Sequence, residues 1–229
     1  IYLFYGRSRT DRTGAAGTLP HTPPGQPVDG SSAPHPDAPA DDTGTDALLF
    51  GEWEIGEIEY RDPSTKRYLA VTPVAHTMGR HAGKQFQKSE ISAVERLINR
   101  LMQTDENTGH KQKTTRIVRE AFEIVHERTE ENPVQVLVHA VENAAPREET
   151  VRLKYGGISV PQAVDVAPQR RVDQSIMFLA EGCKKRSYKS RNTAAEALAS
   201  VVVGAAEYDV QSYAINQKEE KERVAAAAR

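Results

Sequence analysis

The sequence has one cysteine, Cys183, among its 229 residues. A single thiol cannot form a disulfide within the chain, so a disulfide-stapled fold is excluded and a reducing compartment is expected. Long hydrophobic runs are also missing, because no apolar stretch approaches the roughly 18 residues that a membrane-spanning helix needs. Aromatic residues make up only 6% of the chain. These shortages exclude disulfide-rich and membrane-spanning proteins.

The signature motifs of common catalytic and nucleotide-binding sites are absent as well. The sequence contains no GxxxxGK[ST], no GxGxxG, no GxSxG and no HExxH. The seven histidines are scattered, and one cysteine cannot build a thiolate zinc site. We therefore expect no catalysis, no metal and no other cofactor.

The first quarter of the chain has a composition typical of disorder. Residues 10–46 are rich in Pro, Gly, Ser, Thr and Asp and hold one Leu, one Val and no aromatic residue. Such a segment cannot bury enough apolar area to offset the entropy of ordering, so a disordered acidic leader is predicted over residues 1–46. Residues 47–88 contain roughly alternating apolar residues and the turn sequence RDPSTKR. They predict an extended arm that lies against the body or a partner.

Apolar residues at helical spacing dominate the remainder of the chain. They predict six helices: about 89–103, about 113–128, one from Pro133 to before Pro146, one around 172–180, one opened by Thr193, and about 216–228. Thr193 and Glu196 form a capping-box pattern. The sixth helix has almost no apolar stripe, so we expect it to be mobile or docked on a partner. The fold class predicted is mainly α, a single helical domain with an extended N-terminal arm.

Residues 150–166 interrupt the helical pattern and predict a β-hairpin. Gly156 and Gly157 suit a tight reversal because glycine tolerates positive φ. A lone two-stranded ribbon is marginal in water, so two arrangements stay open. The hairpin either projects or packs back on the helices, and a packed base with a presented tip satisfies both. Projection would present Arg152, Lys154 and Tyr155 to a nucleic-acid groove, and packing would bury Val151, Leu153, Val164 and Val166.

The net charge of −2 hides an uneven distribution of basic residues. Residues 1–79 carry 6 Lys and Arg against 11 Asp and Glu, whereas residues 80–229 carry 24 against 21. Several basic groups stand at predicted helix starts, where backbone N–H groups attract phosphate. For any one basic group, a place on an ordinary solvated surface is an equally good explanation. All the groups together favour polyanion binding.

Five stretches resemble a known family. They are LLFGEWEIGEIEYRD (48–62), AVERLINRLM (93–102), TTRIVREAFEIVHERTEENPVQVLVHAVENA (114–144), ENAAPREETVRLKYGGISVPQAVDVAPQRRVDQSI (142–176) and SYAINQKEEKERVAAAAR (212–229). Together they resemble small-subunit ribosomal protein seven in its archaeal and eukaryotic form, and the first is similar to the arm of that form. The likeness spans about residues 48–229 in order.

The resemblance implies helices with one protruding β-ribbon, in a structural component of the small subunit of the cytoplasmic ribosome. It implies binding to the 3′ major domain of 16S-type rRNA by residues 47–229, an early role in assembly of the head, and neighbouring head proteins as partners. The rRNA contacts implied are Lys84, Lys88, Lys111, Lys113, Arg116, Arg147, Arg152, Lys154, Arg170 and Arg171. The implied interface with exit-site tRNA and mRNA comprises Tyr155, Gly156, Gly157, Lys218, Lys221 and Arg223. Arg170 and Arg171 would clamp phosphates at the hairpin base.

Two other functions remain open from the residues alone. A freestanding RNA or DNA regulator could have the same helices and ribbon. A helical protein–protein adaptor is the other, and its binding would respond weakly to salt because an apolar groove releases no counterions.

Overall fold

The computed structural model describes residues 48–56, 58–103 and 107–229. The disorder predicted within residues 1–46 lies outside this range. In chain order, the elements are α1 (Pro63–Lys66), a short 3₁₀ turn (Gln87–Glu90), α2 (Ala93–Met102), α3 (Lys111–Thr129), α4 (Pro133–Asn143), β1 (Glu148–Tyr155), β2 (Ile158–Asp165), α5 (Pro168–Ser187), α6 (Ala194–Ala206) and α7 (Tyr213–Ala227). The mainly α class with one hairpin is confirmed. Within these ranges no helix is long and apolar enough to cross a bilayer.

Local sequence signals set several helix ends. The Asn132 side chain accepts a hydrogen bond from the Val134 N–H, and Pro133 follows as the first helical residue of α4. Thr193 and Glu196 form the predicted capping box at the start of α6. These caps explain why the predicted starts agree with the structure within a few residues.

One continuous apolar core is built by helices α2 to α6. Helix α6 packs against α3, α4 and α5, and its run of small apolar residues allows this close central position. The largest fully buried side chains include Phe122 of α3, Phe178 of α5 and Leu198 of α6. The core therefore fixes the helices from which the basic side chains extend.

The arm is anchored to the body, one of the two arrangements that its sequence left open, and it contains one helix that sequence analysis assigned to a turn. Leu49 and Leu69 are fully buried in the core. Gln135 on α4 pairs with both the backbone N–H and the backbone carbonyl of Glu59, at 2.9 Å each. Helix α1 occupies the predicted turn and is only four residues long.

The last helix differs from the expectation of a mobile or partner-docked end. Helix α7 packs against β1 and α5, with Ala214, Ile215 and Ala225 buried. Gly182 of α5 permits the close approach, because an added Cβ there would lie 3.2 Å from both Tyr213 and Val201. Small residues thus supply the contact surface that a stripe of large apolar residues would otherwise provide.

Candidate nucleic-acid interface

The hairpin is a two-stranded antiparallel ribbon with a two-residue turn. Tyr155 pairs with Ile158, and Arg152 pairs with Pro161. Gly156 and Gly157 have φ of +55° and +90°, the positive values that this tight turn requires. In the part of the chain that the structure describes, β1 and β2 pair only with each other.

The base of the hairpin is packed and its far end is presented, which combines the two arrangements left open above. Val166 is buried and donates its backbone N–H to the Arg147 carbonyl at 2.9 Å. Leu153 and Val164 are half-buried. Ile158, next to the turn, is 71% exposed. The ribbon is thus rooted in the core and extends into solvent.

Three basic side chains on and before β1 are exposed. Arg152 and Lys154 are two residues apart on one strand, so they lie on the same face of the ribbon. Arg147 precedes the strand and uses its backbone N–H, not its guanidinium, to bind Glu222 at 2.8 Å. None of the three forms a side-chain hydrogen bond or ion pair with any residue that the structure describes. They are therefore free to neutralise an external anion.

The two arginines after the hairpin, Arg170 and Arg171, differ in their surroundings. Arg170 is exposed and forms an ion pair with Glu149 at 2.8 Å. Arg171 is 7% exposed, and its guanidinium lies 2.8 Å from the Asp62 carboxylate and 2.5 Å from the Ser64 hydroxyl. Consecutive residues on a helix point in different directions, so the expected phosphate clamp at the hairpin base retains one solvent-facing member, Arg170.

Two lysines near the starts of α2 and α3 are paired with carboxylates. Lys88 lies 2.7 Å from Asp173, which also binds the buried Arg96 at 2.6 Å. Lys111 lies 2.7 Å from the buried Glu95. These lysines already contribute to the fold, so binding a phosphate through them requires exchange of the partner.

Three further basic residues face solvent. Lys84 and Lys113 are exposed and have no side-chain partner among the described residues. Arg116 is 72% exposed and makes only a weak 3.7 Å contact with Glu120. These side chains are available to an external anion at little cost.

The basic residues of α7 have partners within the chain. Lys218 donates to the Tyr208 hydroxyl at 3.2 Å, and Arg223 pairs with Glu220 at 2.6 Å. Lys221 lies 4.9 Å from the Phe178 ring centroid. Burial lowers the pKa of Lys221, as does the nearby Arg170, while Glu149 opposes this shift. Arg223 is thus the most exposed cation of the three.

Partly buried carboxylates are the members of this surface that sequence analysis missed. Burial by itself would raise the pKa of Asp173, but hydrogen bonds from Lys88 and Arg96 lower it below its ordinary value. Burial also opposes the lowered pKa of Glu149, where hydrogen bonds from Arg170 and Gln174 prevail. Each acid is remote in sequence from at least one of its partners, so no local pattern reveals the pairing.

The site has the chemistry of anion binding. Among the described residues there is no group of three His, Cys, Asp or Glu side chains that could hold a metal ion. The solvent-facing set on the described residues comprises Lys84, Lys113, Arg116, Arg147, Arg152, Lys154 and Arg170. The backbone of Tyr155 completes β1 next to the glycine turn.

Comparison with known proteins gives one consistent result. The family model described as ribosomal protein S7p/S5e matches residues 64–229. Small ribosomal subunit protein uS7 of Halococcus morrhuae is 74% identical over 200 residues, covering 87% of this chain and 98% of the relative. The uS7 protein of Haloarcula marismortui is 77% identical over 183 residues, covering 80% of this chain and 89% of the relative. The uS7 protein of Methanothrix thermoacetophila is 55% identical over 183 residues, covering 79% and 99% respectively.

Proposed function

This chain belongs to the ribosomal protein S7p/S5e family and is therefore a non-enzymatic protein of the small subunit of the cytoplasmic ribosome; from that membership we propose that it binds the 3′ major domain of 16S-type rRNA. By binding early it nucleates assembly of the head, beside neighbouring head proteins. Its hairpin turn and α7 face exit-site tRNA and mRNA.

The observation that carries this proposal is the exposed ribbon with two unpaired cations. Arg152 and Lys154 extend from one face of a strand whose base is fixed in the core. RNA duplexes are recognised largely by shape and by contacts to phosphate and 2′-hydroxyl groups. A rigid ribbon places its cations on such a backbone with little loss of conformational freedom on binding.

The exposed cations extend the rRNA surface beyond the ribbon. Lys84, Lys113 and Arg116 bind phosphates without breaking a strong pair in the free protein. Lys88, Lys111 and Arg170 must release a carboxylate before they bind a phosphate. Each of them therefore contributes less free energy to rRNA binding. Arg171 supports the surface indirectly, by fixing α5 to the arm.

The interface with tRNA and mRNA is assigned to the hairpin turn and α7. Gly156 and Gly157 carry no side chains, so a nucleic-acid backbone can approach the turn closely. Lys218, Lys221 and Arg223 follow on α7, which packs against β1. The Tyr155 position next to the turn completes the assigned set.

The proposal is tested by the salt dependence of binding to a transcript of the 3′ major domain. Removing one cation that binds a phosphate is expected to reduce the slope of log K against log[salt] by roughly 0.7–0.9. The double variant Arg152→Gln, Lys154→Gln should therefore bind more weakly and with a slope smaller by about 1.4–1.8. The control Lys66→Gln removes one exposed charge from the arm and should bind like the wild type. An unchanged affinity and slope in the double variant would contradict the proposal.

A second experiment separates a ribosomal component from a freestanding RNA-binding regulator. The chain is added to small-subunit assembly reactions, and the particles are sedimented through moderate salt. A ribosomal component remains with the particle in stoichiometric amount. Loss of the chain at a salt concentration that the particles survive would favour the regulator.

A further inference from the structure

A cleft of about 320 Å³ lies where α2, α3, α5 and α6 converge, and Lys113 is the one residue of its described lining that also belongs to the RNA surface proposed above. Its lining combines the end of α5 with the loop that connects α5 to α6, residues 188–193. The lining residues are Leu101, Asn107, Lys113, Ile117, Ala180, Cys183, Lys184, Ser187, Tyr188, Lys189, Asn192 and Ala194. Its volume is within the range of small-ligand sites in proteins.

The cleft has a mixed lining, with apolar side chains in its wall and lysines at its rim. Leu101, Ala180 and Cys183 are buried parts of its wall. Three of its lining residues are lysines, and none of the described lining residues is acidic. Lys113 and Lys189 are exposed cations at this site. An occupant with a flat apolar part and a negative charge fits this lining.

Tyr188 supplies an exposed aromatic surface at the cleft. It is the C-terminal cap residue of α5 and is 58% exposed. The Lys189 ammonium lies 5.2 Å from the centroid of its ring. Lys189 adopts a left-handed backbone conformation with φ of +52°, so the loop turns sharply immediately after the tyrosine. An aromatic ring is thus held at the cleft mouth with a cation over one of its faces.

We propose that this cleft receives the base of one unpaired rRNA nucleotide, which stacks on Tyr188 while Lys113 and Lys189 bind the adjoining phosphates. This inference rests on the rRNA binding proposed above and adds a second contact site, specific for a single-stranded nucleotide. Unpaired bases in RNA loops and bulges are commonly splayed out and stacked on aromatic side chains. Lysines beside the aromatic ring then neutralise the backbone phosphates on either side of the base.

The lining favours a nucleotide over an apolar side chain from a partner protein. An apolar protein segment would leave the charges of Lys113 and Lys189 uncompensated beside a buried surface, which is unfavourable. A nucleotide pairs these charges through its phosphates and places its base against the apolar part of the wall. The same reasoning assigns a role to Tyr188 and Lys189, which lie outside the five stretches that carry the family resemblance.

Photocrosslinking tests the site directly. The full chain is bound to a 3′-major-domain transcript that contains 4-thiouridine, irradiated, digested, and analysed by mass spectrometry. Nucleotide adducts are expected on Tyr188 or Cys183, in addition to adducts on the hairpin. Hairpin adducts without any adduct in residues 183–194 would overturn the cleft assignment and leave the proposed function standing. Failure of the transcript to bind at all would instead contradict the proposed function.

Affinity measurements give an independent test. Tyr188→Ala is expected to weaken transcript binding roughly 5- to 150-fold, the range for loss of one base–aromatic stack. Tyr188→Phe keeps the ring and should bind like the wild type. The matched control is Tyr208→Ala, which removes another exposed tyrosine that has a lysine 4.7 Å from its ring, and it should bind normally. A Tyr188→Ala variant that binds as tightly as the wild type would refute the inference.

The assembled small subunit provides the last comparison. Chemical crosslinking there should join Lys113 and Lys189 to rRNA. Crosslinks of both lysines to a neighbouring protein, with none to rRNA, would assign the cleft to a protein partner and overturn the proposal.

Discussion

The guanidinium of Arg171 on α5 forms a 2.8 Å ion pair with the carboxylate of Asp62 in the N-terminal arm. The two residues are 109 positions apart, and the pair joins the arm to the helix that follows the hairpin. Burial alone would raise the pKa of Asp62, but hydrogen bonds from Ser64 and Arg171 lower it below its ordinary value. The arm is thereby tied to the helix that begins at the hairpin base.

Substitutions of the consecutive residues Arg170 and Arg171 should have different effects. One should weaken RNA binding and the other should lower the stability of the fold. Arg171→Ala leaves the Asp62 charge without its partner in a partly buried position, so the free energy of unfolding is expected to fall by about 3 kcal/mol. Arg170→Ala breaks an exposed pair and should change stability by less than about 1 kcal/mol, while it weakens transcript binding. Urea unfolding can be monitored by Trp53, the single tryptophan, whose ring lies 5.0 Å from His126. Equal stability of the two variants would contradict this assignment.

The Glu142 side chain should hold the N-terminal arm against the helical body. Its carboxylate accepts hydrogen bonds from the Arg61 and Asp62 backbone N–H groups, at 3.2 Å each. Glu142→Ala leaves both donors unpaired and should lower the local stability of the arm by about 1–3 kcal/mol. Limited trypsin digestion should then cut after Arg61 faster than in the wild type, before the helical body is degraded.

The control for this experiment is Glu127→Ala, because Glu127 is exposed on α3 and has no partner among the described residues. It should be digested at the wild-type rate. Identical cleavage of all three proteins at Arg61 would show that Glu142 does not hold the arm.

Acid should destabilise the chain through buried carboxylates such as Glu95. Burial opposes ionisation of Glu95, but hydrogen bonds from Lys111 and Thr77 lower its pKa below the ordinary 4.5. A carboxylate with a lowered pKa in the folded state stabilises the protein fully above the unfolded value, and this contribution is lost as pH falls through the folded value. The stability lost between neutral pH and pH values below 4.5 should therefore be smaller in Glu95→Gln than in the wild type.

The measurement is urea unfolding of both proteins from pH 7 downward. Near neutral pH, Glu95→Gln should be less stable by about 1.5–3 kcal/mol, and the two curves should converge in acid. The exposed Glu127→Gln serves as the control and should follow the wild type at every pH. A constant difference between wild type and Glu95→Gln down to acid pH would contradict the mechanism.

A tethered cleavage reagent should locate the hairpin tip on the ribosome. Ser159 is exposed beside the turn, and Cys183→Ala removes the native thiol. In that background, Ser159→Cys carrying an iron chelate should direct hydroxyl-radical cuts to exit-site tRNA or to mRNA in assembled subunits. Arg67→Cys on the arm is the control and should give a different pattern. Cuts from Ser159→Cys that are confined to distant rRNA would refute the interface assignment.

Local sequence determined most of the secondary structure and the family. Periodic apolar residues and caps such as Asn132 and Thr193 act within a few positions, so the six long helices and the glycine turn could be predicted. The family resemblance drawn from five stretches is confirmed, and so is the mainly α fold. The four-residue helix α1 was missed because Pro63 and Ser64 are as typical of a turn as of a helix start.

Tertiary structure decided which charges face solvent. Arg170 and Arg171 are adjacent in sequence and chemically identical, yet one is exposed and the other is buried against Asp62. The charge pattern of the sequence predicts a basic surface. It cannot show which basic residues face solvent unpaired, because their carboxylate partners come from distant segments. Likewise, α7 lacks a long apolar stripe but is docked because Gly182 allows close contact. Short-range forces fix elements from neighbouring residues, whereas burial and pairing depend on contacts that form only when remote parts of the chain meet.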